Sequence, residues 1–227
     1  MTDLILTVQG AARAELAPER ATVRVTVAAD GPDRASVVES ATASLSSVSG
    51  LIAGRHHADL GPVIAWSVEQ LSVTAQRPWT NDGTQAALVH RASAAGRAVL
   101  SSPEAAAELV DALAADPIVT IDGVEWSLTD SALARAQAEV RTRAVTDALG
   151  KAVVLAAAVG REGVDAVALA DPGMLDGSNG GTGPQPRFEK SMAMAMDAGG
   201  AGGFSLRPQP IVIDVAVDAR FVARPAS

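Results

Sequence analysis

Residues 131–160 form one uninterrupted helical pattern, which constrains the fold more than any other segment. Apolar and small residues recur every three or four positions, the period of one helix face: Leu133, Ala136, Val140, Ala144, Ala148, Ala152, Ala156 and Val159. A ladder of alternating charge follows at i,i+4, formed by Arg135, Glu139, Arg143, Asp147 and Lys151. We expect Asp130 to cap this helix and Gly160 to end it. The pattern predicts a small-residue face packed against a sheet and a charged face in solvent.

Shorter strand and helix patterns surround this long helix. One helix pattern opens at Gly31-Pro32-Asp33 and closes near Gly54, and another opens at Ser101 or Ser102. Turn residues at 78–83 predict a hairpin between long strands at 63–77 and 86–100. The other strand patterns are 4–8 (ended by Gly10), 23–27, 119–128, 164–170 and 211–221. This order predicts an α+β fold, with a largely antiparallel sheet packed against helices.

Residues 172–210 differ in composition from the rest of the chain. Gly and Pro supply 14 of these 39 residues, which predicts a flexible Gly/Pro/Met-rich loop within a single domain over 1–227, with two lobes as the alternative. Met192, Met194 and Met196 alternate with alanine inside it. Together with Phe188 and Phe204, they are predicted to dock on a partner. Plain disorder and thioether binding of Cu(I) or reversible oxidation are the alternatives.

Composition excludes several classes of function. The net charge of −8 disfavours binding to nucleic acid or to an anionic membrane. The absence of cysteine excludes disulfides, thiol catalysis and thiolate metal sites. Met1-Thr2-Asp3 has no basic character, and the apolar run Leu4-Ile5-Leu6 is shorter than the core of a signal peptide. No apolar run is long enough to span a bilayer, so we expect a cytoplasmic protein.

The candidate catalytic and metal-binding residues form no recognisable motif. His56 and His57 are adjacent, which makes a poor two-ligand chelate on either a strand or a helix, and His90 lies in a strand pattern. Asp214 and Asp218 share a strand face, but about 13 Å separates them at the usual strand rise. Trp66, Trp79 and Trp126 are expected in core or hairpin packing, and the glycine clusters lack the frame of a phosphate loop. We therefore assign no catalytic, cofactor-binding or metal-binding residue.

Several of these segments together resemble the SIMPL family, long described as a domain of unknown function. The strand ending in Gly10, the segment Pro18-Glu19-Arg20-Ala21 and the next strand resemble its opening. The strongest match is Trp126-Ser127-Leu128, followed along the helix by Arg143-Ala144-Val145, Asp147-Ala148, Lys151-Ala152, Ala156 and Gly160. The resemblance implies an α+β fold, a tendency to self-associate and no established enzymatic activity. We expect two departures from the family: no signal peptide is predicted at the start of the sequence, which argues against an envelope role, and His90 stands where the family often has an aromatic residue.

The leading hypothesis is a non-enzymatic, cytoplasmic SIMPL-like protein that acts through self-assembly or protein-partner binding. A homo-oligomer would form through sheet edges or through the Gly/Met loop. The alternative is a small-ligand or metal-binding stress-response protein, with residues 174–205 as a lid over a pocket. A third hypothesis is a hydrolase that uses His90 or His56 as its base.

Overall fold

The computed structural model describes residues 3–79, 83, 85–175 and 206–225. Its elements confirm the α+β prediction and are, in chain order, β1 Leu4–Leu16, β2 Arg20–Gly31, α1 Arg34–Ala53, β3 Val63–Val68, β4 Ser72–Gln76, β5 Val89–Leu100, α2 Pro103–Leu113, β6 Val119–Ser127, α3 Asp130–Ala158, β7 Arg161–Ala170 and β8 Ile211–Pro225. All strand pairs within the two sheets are antiparallel. The chain divides into two compact units. Among the described residues, the first contains 3–16, 129–175 and 210–225, and the second contains 17–128 apart from 80–82 and 84, together with 206–209. The expectation of a single domain over 1–227 stays a prediction.

The second unit is a sheet in the order β3-β5-β2-β6, with β4 also paired to β5, and two helices pack against it. Its core is formed by alternate residues of β2 together with apolar residues of the helices and neighbouring strands, among them Val23, Val25, Ile52, Leu109 and Trp126. The period of two in β2 places one face of that strand inside. The predicted strand at 23–27 is therefore confirmed and extended at both ends.

Side-chain caps fix both helix starts in this unit. The Asp33 carboxylate accepts a hydrogen bond from the Ser36 backbone N–H at 2.8 Å, and Gly54 ends α1 as predicted. The Ser102 hydroxyl accepts a hydrogen bond from the Ala105 N–H at 3.2 Å, with Pro103 in the first turn. These caps satisfy N–H groups that have no partner inside the helix.

The single long strand expected at 63–77 is wrong, because β3 and β4 are separate strands along the same edge of β5. Val68 is opposite Gly96 and Ser72 is opposite Ser93, so one extra residue lies on the β3–β4 side. Between them the Glu69 N–H donates to the Ala95 carbonyl at 2.8 Å. An extra residue of this kind bends an edge strand and interrupts its pairing. The hairpin itself is confirmed, because Trp79 bridges Gln85 across the turn.

The first unit is a three-stranded sheet in the order β1-β8-β7, with α3 packed on one face. The alternation predicted for the last strand is confirmed, since Ile213, Val217, Ala219 and Phe221 are buried. Asp214 and Arg224 on the opposite face of β8 are exposed. One face of this sheet thus packs on the helix and the other carries polar groups.

The expectation that Gly10 ends the first strand is wrong, because β1 continues through it to Leu16. A Cβ atom at this position would lie 2.0 Å from the Ala144 carbonyl oxygen and 2.7 Å from the Ala148 Cβ. Glycine is needed here because α3 comes too close to β1 for any side chain. The residue marks a helix–strand contact and not a turn.

The helix α3 has the predicted length and a different cap. The Thr129 hydroxyl, and not the expected Asp130, accepts the hydrogen bond from the Ala132 N–H at 3.2 Å. Asp130 lies in the first turn, where its negative charge interacts favourably with the positive end of the helix dipole. Gly160 ends the helix as predicted, with a φ of +71° that suits glycine.

The loop expected at 172–210 is described only at its two ends. Residues 172–175 and 206–210 contain no helix or strand, as predicted, and 176–205 lie outside the described residues. Leu206 packs against the core of the second unit. Among the described residues, no helix is long and apolar enough to cross a membrane.

Candidate functional site

The buried side of α3 consists mostly of small residues at i,i+4. Ala136, Val140, Ala144, Ala148, Ala152 and Ala156 are all buried. Ala148 and Ala152 pack with Ala219 and Phe221 of β8. The predicted small-residue face is therefore confirmed. Small side chains allow a close helix–sheet approach, which places the flanking charged side chains within reach of the β1 backbone.

The charged ladder of α3 binds the edge of β1, so its assignment to a purely solvated face is wrong. Lys151 Nζ donates to the Gln9 carbonyl at 2.9 Å, and Asp147 Oδ2 accepts from the Ala11 N–H at 2.9 Å. Arg143 donates to the Arg13 carbonyl. We call Arg143, Asp147 and Lys151 the edge clamp.

The edge clamp works because helix and strand spacings coincide. Four helix residues rise about 6 Å, and two strand residues rise about 6.8 Å. β1 is an edge strand, so alternate residues direct their backbone groups away from β8, the one neighbour it has in this sheet. Lys151, Asp147 and Arg143 therefore bind, in that order, the carbonyl of Gln9, the N–H of Ala11 and the carbonyl of Arg13. The alternating charge matches the alternating backbone groups of the strand.

The edge clamp also contains the i,i+4 ion pair that the ladder predicted. Lys151 Nζ lies 2.7 Å from Asp147 Oδ2. The hydrogen bond from Lys151 and the one from the Ala11 N–H both favour the carboxylate, so the pKa of Asp147 lies below its ordinary value of 3.8. Elsewhere in this unit Arg224 pairs with Asp165 across β8 and β7, which likewise lowers the pKa of Asp165.

The outer side of the second half of α3 is apolar. Five large side chains there are exposed: Leu149, Val153, Val154, Leu155 and Val159. Residues 152–160 contain no charged side chain. A helix that is apolar all round is normally buried on every side. Here only one side packs on the sheet, so these five side chains, which we call the outer face, remain uncovered by the described chain.

A groove lies between this outer face and β1. Its volume is about 740 Å³, and its lining residues are Val8, Gln9, Asp147, Gly150, Lys151, Val154 and Leu155. The groove is largely open to solvent and is not an enclosed cavity. The groove combines aliphatic walls with the ion pair of the edge clamp.

The three histidines do not come together. His56 bridges Val63, which lies opposite Leu100 at one end of β5, whereas His90 lies near the other end of that strand. At the usual strand rise, about 30 Å separates them. His57 Nδ1 accepts hydrogen bonds from the Asp59 and Leu60 N–H groups. His90 Nδ1 is buried and accepts no hydrogen bond from the described residues.

The paired aspartates and the tryptophans have structural partners. Asp214 lies 4.0 Å from the Arg13 guanidinium, and Asp218 accepts hydrogen bonds from the Gln9 amide and the Gly173 N–H. Trp126 is buried and Trp66 packs against the same core, as predicted. Trp79 is 70% exposed at the hairpin. No group of His, Asp and Glu suited to holding a metal ion occurs within the described ranges.

The residues predicted to dock on a partner cannot be placed. Phe188, Met192, Met194, Met196 and Phe204 all lie outside the described residues. Their role stays a prediction. The same holds for most of the lid expected at 174–205, of which only Met174 and Leu175 are described.

A family model matches nearly the whole chain. The model of SIMPL, described as a protein of unknown function (DUF541), matches residues 6–221. The chain belongs to the SIMPL family. The match spans most of β1, the edge clamp, the outer face and most of β8, so the helix–edge contact lies inside the family region. No curated protein matches this SIMPL chain significantly.

Sequence reasoning identified the helix and its small-residue face but missed the edge clamp and the outer face. The edge clamp was visible as alternating charge, and the position of Gly10 in an apolar strand pattern could have suggested a close helix above it. The outer face was visible in the run 152–160, which contains no charged residue. A helix with this sequence is apolar on every side, and not only on the side that packs on the sheet. Neither signal names a partner for this SIMPL protein.

Proposed function

We propose that this SIMPL-family protein acts by self-assembly or by binding a protein partner, and not by catalysing a reaction. The observation that supports the proposal is the exposed apolar outer face of α3. Depletion of charge and exposure of large apolar side chains are features of protein interfaces. Leu149, Val153 and Val154 lie on a rigid helix and not on a loop, so the surface is already ordered for binding.

The contacts of the candidate catalytic groups also support this proposal. Asp214 and Asp218 are engaged with Arg13 and Gln9 across the sheet, and His57 closes a local turn. Each of these groups has a structural role that explains its position. The cytoplasmic location stays a prediction from the sequence.

Mass measurement on the intact protein tests the proposal. Light scattering and native mass spectrometry over a range of concentrations are expected to show a defined multimer. Where the protein acts through another protein instead, a pull-down from the source organism is expected to recover that partner in a stoichiometric amount. A strict monomer without a bound protein would contradict it. A substrate screen tests the competing hydrolase hypothesis. An activity that is detected in the parent protein and lost in a His90→Ala variant would favour that hypothesis over the proposed function.

The groove beside the edge clamp supports a second candidate, the binding of a small, largely aliphatic ligand. Its walls are apolar and its one ion pair, Asp147–Lys151, could orient a polar end group. A hydrophobic fluorescent probe should then bind with one site per chain, and Val154→Glu should abolish that binding. Binding that is unchanged in this variant would place the probe elsewhere.

A further inference from the structure

We propose that His57 is a pH-sensitive switch, which orders the loop between α1 and β3 only while its imidazole is neutral. This loop covers residues 54–62 in the second unit. His57 Nδ1 accepts hydrogen bonds from the Asp59 N–H at 3.3 Å and the Leu60 N–H at 3.1 Å. The inference does not depend on the proposed function, because it concerns the conformation of this loop alone.

The lone pair on Nδ1 decides which protonation state the turn accepts. A neutral imidazole has one N–H and one acceptor nitrogen, so the proton of His57 must lie on Nε2. A protonated imidazole has an N–H on both nitrogens and no acceptor. Its Nδ1–H would point at two backbone N–H groups, and both hydrogen bonds would be lost. The closed turn therefore requires the neutral form.

The residue type at position 57 gives this turn a pH dependence that such turns usually lack. Side chains of Asn, Asp, Ser and Thr commonly accept hydrogen bonds from backbone N–H groups two or three residues further on. Asp33 does so at the start of α1, where it accepts from the Ser36 N–H. Amides and hydroxyls keep their acceptor at any ordinary pH, and a carboxylate keeps its acceptor down to about pH 4. An exposed histidine, in contrast, takes up a proton near pH 6.5.

The backbone on either side of the turn is held without the imidazole. The His57 N–H donates to the Val63 carbonyl and the Gly61 N–H donates to the His57 carbonyl, both at 3.0 Å. Val63 is fully buried in the core. A Cβ atom at Gly61 would lie 2.5 Å from the His57 backbone nitrogen, so the chain folds back tightly here. Protonation should therefore release residues 58–60 and leave β3 in place.

The charged groups around the imidazole belong to the loop itself and partly offset one another. Asp59 favours uptake of a proton, whereas Arg55 and a charged His56 oppose it. The Arg55 guanidinium is also engaged, because it donates to the Leu51 carbonyl at 3.0 Å. The last turn of α1, the start of β3 and the end of β5 that pairs with it contain no charged residue. Loss of the two hydrogen bonds to His57 therefore sets the direction of the switch.

The group that this switch controls is Leu60. Its side chain is 86% exposed, and its N–H is one of the two donors to the imidazole. At neutral pH the turn holds this apolar side chain in one position, and at acidic pH it is released. A contact made through Leu60 would then be weaker, because ordering the turn costs conformational entropy.

Amide hydrogen exchange of the full chain, measured by NMR and corrected for the intrinsic effect of pH, tests the switch. Protection of the Asp59 and Leu60 amides should fall about 30-fold between pH 8 and pH 5, or to the level of an unstructured peptide, because an open loop binds the proton that the closed loop refuses. The Val63 N–H donates to the Arg55 carbonyl at 3.2 Å and is the internal reference. Its protection should stay the same.

Variants at the two neighbouring histidines assign the effect. His57→Asn keeps an acceptor near the position of Nδ1 and should give the same protection at both pH values. His57→Ala removes the acceptor and should show at pH 8 the low protection that the parent protein reaches at pH 5. His56→Asn is the matched control, because the His56 side chain makes no hydrogen bond within the described chain, and it should keep the response.

The outcomes that would overturn the switch are equally specific. Protection that does not change with pH in the parent protein would show that the turn tolerates the protonated imidazole. A response that persists in His57→Asn, or that disappears in His56→Asn, would assign the effect to another group. Parallel loss of protection at Val63 would show unfolding of β3 in place of a local release.

Discussion

Single residues in α3 and β1 determine how closely the helix and the sheet approach. Gly10 and Gly150 are both glycines in regular elements, yet their surroundings are opposite. A methyl group at Gly10 would meet the backbone of α3, which cannot move aside locally, whereas a methyl group at Gly150 would meet open space. The pair therefore separates a glycine that the fold requires from one that it does not.

We predict opposite changes in stability for the two alanine variants. Gly10→Ala should lower the free energy of unfolding by about 3 kcal/mol or more, because α3 must move off β1. Gly150→Ala should raise it by about 0.5–1 kcal/mol, because alanine favours the helix. Urea denaturation at a low protein concentration, where association contributes least, measures both effects. Similar changes for the two variants would show that Gly10 does not mark the helix–strand contact.

At the scale of secondary structure elements, the edge clamp couples α3 to a strand edge. An exposed edge with free N–H and C=O groups can pair with another chain. Side chains of α3 satisfy part of that edge on β1, which makes it a poorer site for strand addition. The expectation of assembly through sheet edges therefore applies least to the clamped part of β1.

The electrostatic part of the edge clamp predicts a pH dependence. The folded-state pKa of Asp147 lies below that of the unfolded chain, so its stabilising contribution is present near neutral pH and is lost as the pH falls through the folded-state value, below 3.8. Asp147→Asn should therefore lower the urea midpoint at pH 7, and the difference from the parent protein should shrink as the pH is lowered below 3.8.

A matched control is available on the same helix. Glu139→Gln also removes one carboxylate from α3, and the Glu139 side chain makes no hydrogen bond or ion pair with the part of the chain that the structure describes. Its urea midpoint should follow that of the parent protein across this pH range. A difference for Asp147→Asn that persisted unchanged at acid pH would argue against an ionic contribution from the edge clamp.

The sequence predicted elements far better than it predicted the contacts between them. The period of α3, its end at Gly160 and the alternation of β8 were recognisable because each depends on neighbours in the chain. The edge clamp was not, because Gln9 and Lys151 are brought together only by the tertiary fold. For the same reason, the glycine at position 10 suggested the end of a strand. Glycine is required there because a side chain would collide with Ala144 and Ala148 of α3.

At the scale of the whole molecule, the second unit is built almost entirely from one continuous segment. Strands β2 to β6 and helices α1 and α2 all fall within residues 17–128. Its core residues also lie in this segment, except for the contribution of Leu206. The first unit, in contrast, needs three separate stretches of the chain.

We predict that residues 17–128 fold when produced alone. The segment should unfold cooperatively on heating, and loss of the Leu206 contact should reduce the free energy of unfolding by only about 1–2 kcal/mol relative to the same unit in the full chain. Val23→Asp, which buries a charge in this core, should abolish the transition. Calorimetry measures both. A broad, non-cooperative transition in the parent segment would contradict the prediction.

The pairing of β1 with β8 has a consequence for synthesis on the ribosome. Leu4 lies opposite Ala223, so β1 emerges long before the strand that completes its sheet. At about 5–20 residues per second, this delay is on the order of 10–40 s. The segment 17–128 emerges in between and can fold during translation. The sheet of the first unit is complete only when β8 has been synthesised. Until then neither edge of β1 has a strand partner, and only the part that binds the edge clamp of α3 can form hydrogen bonds along one edge.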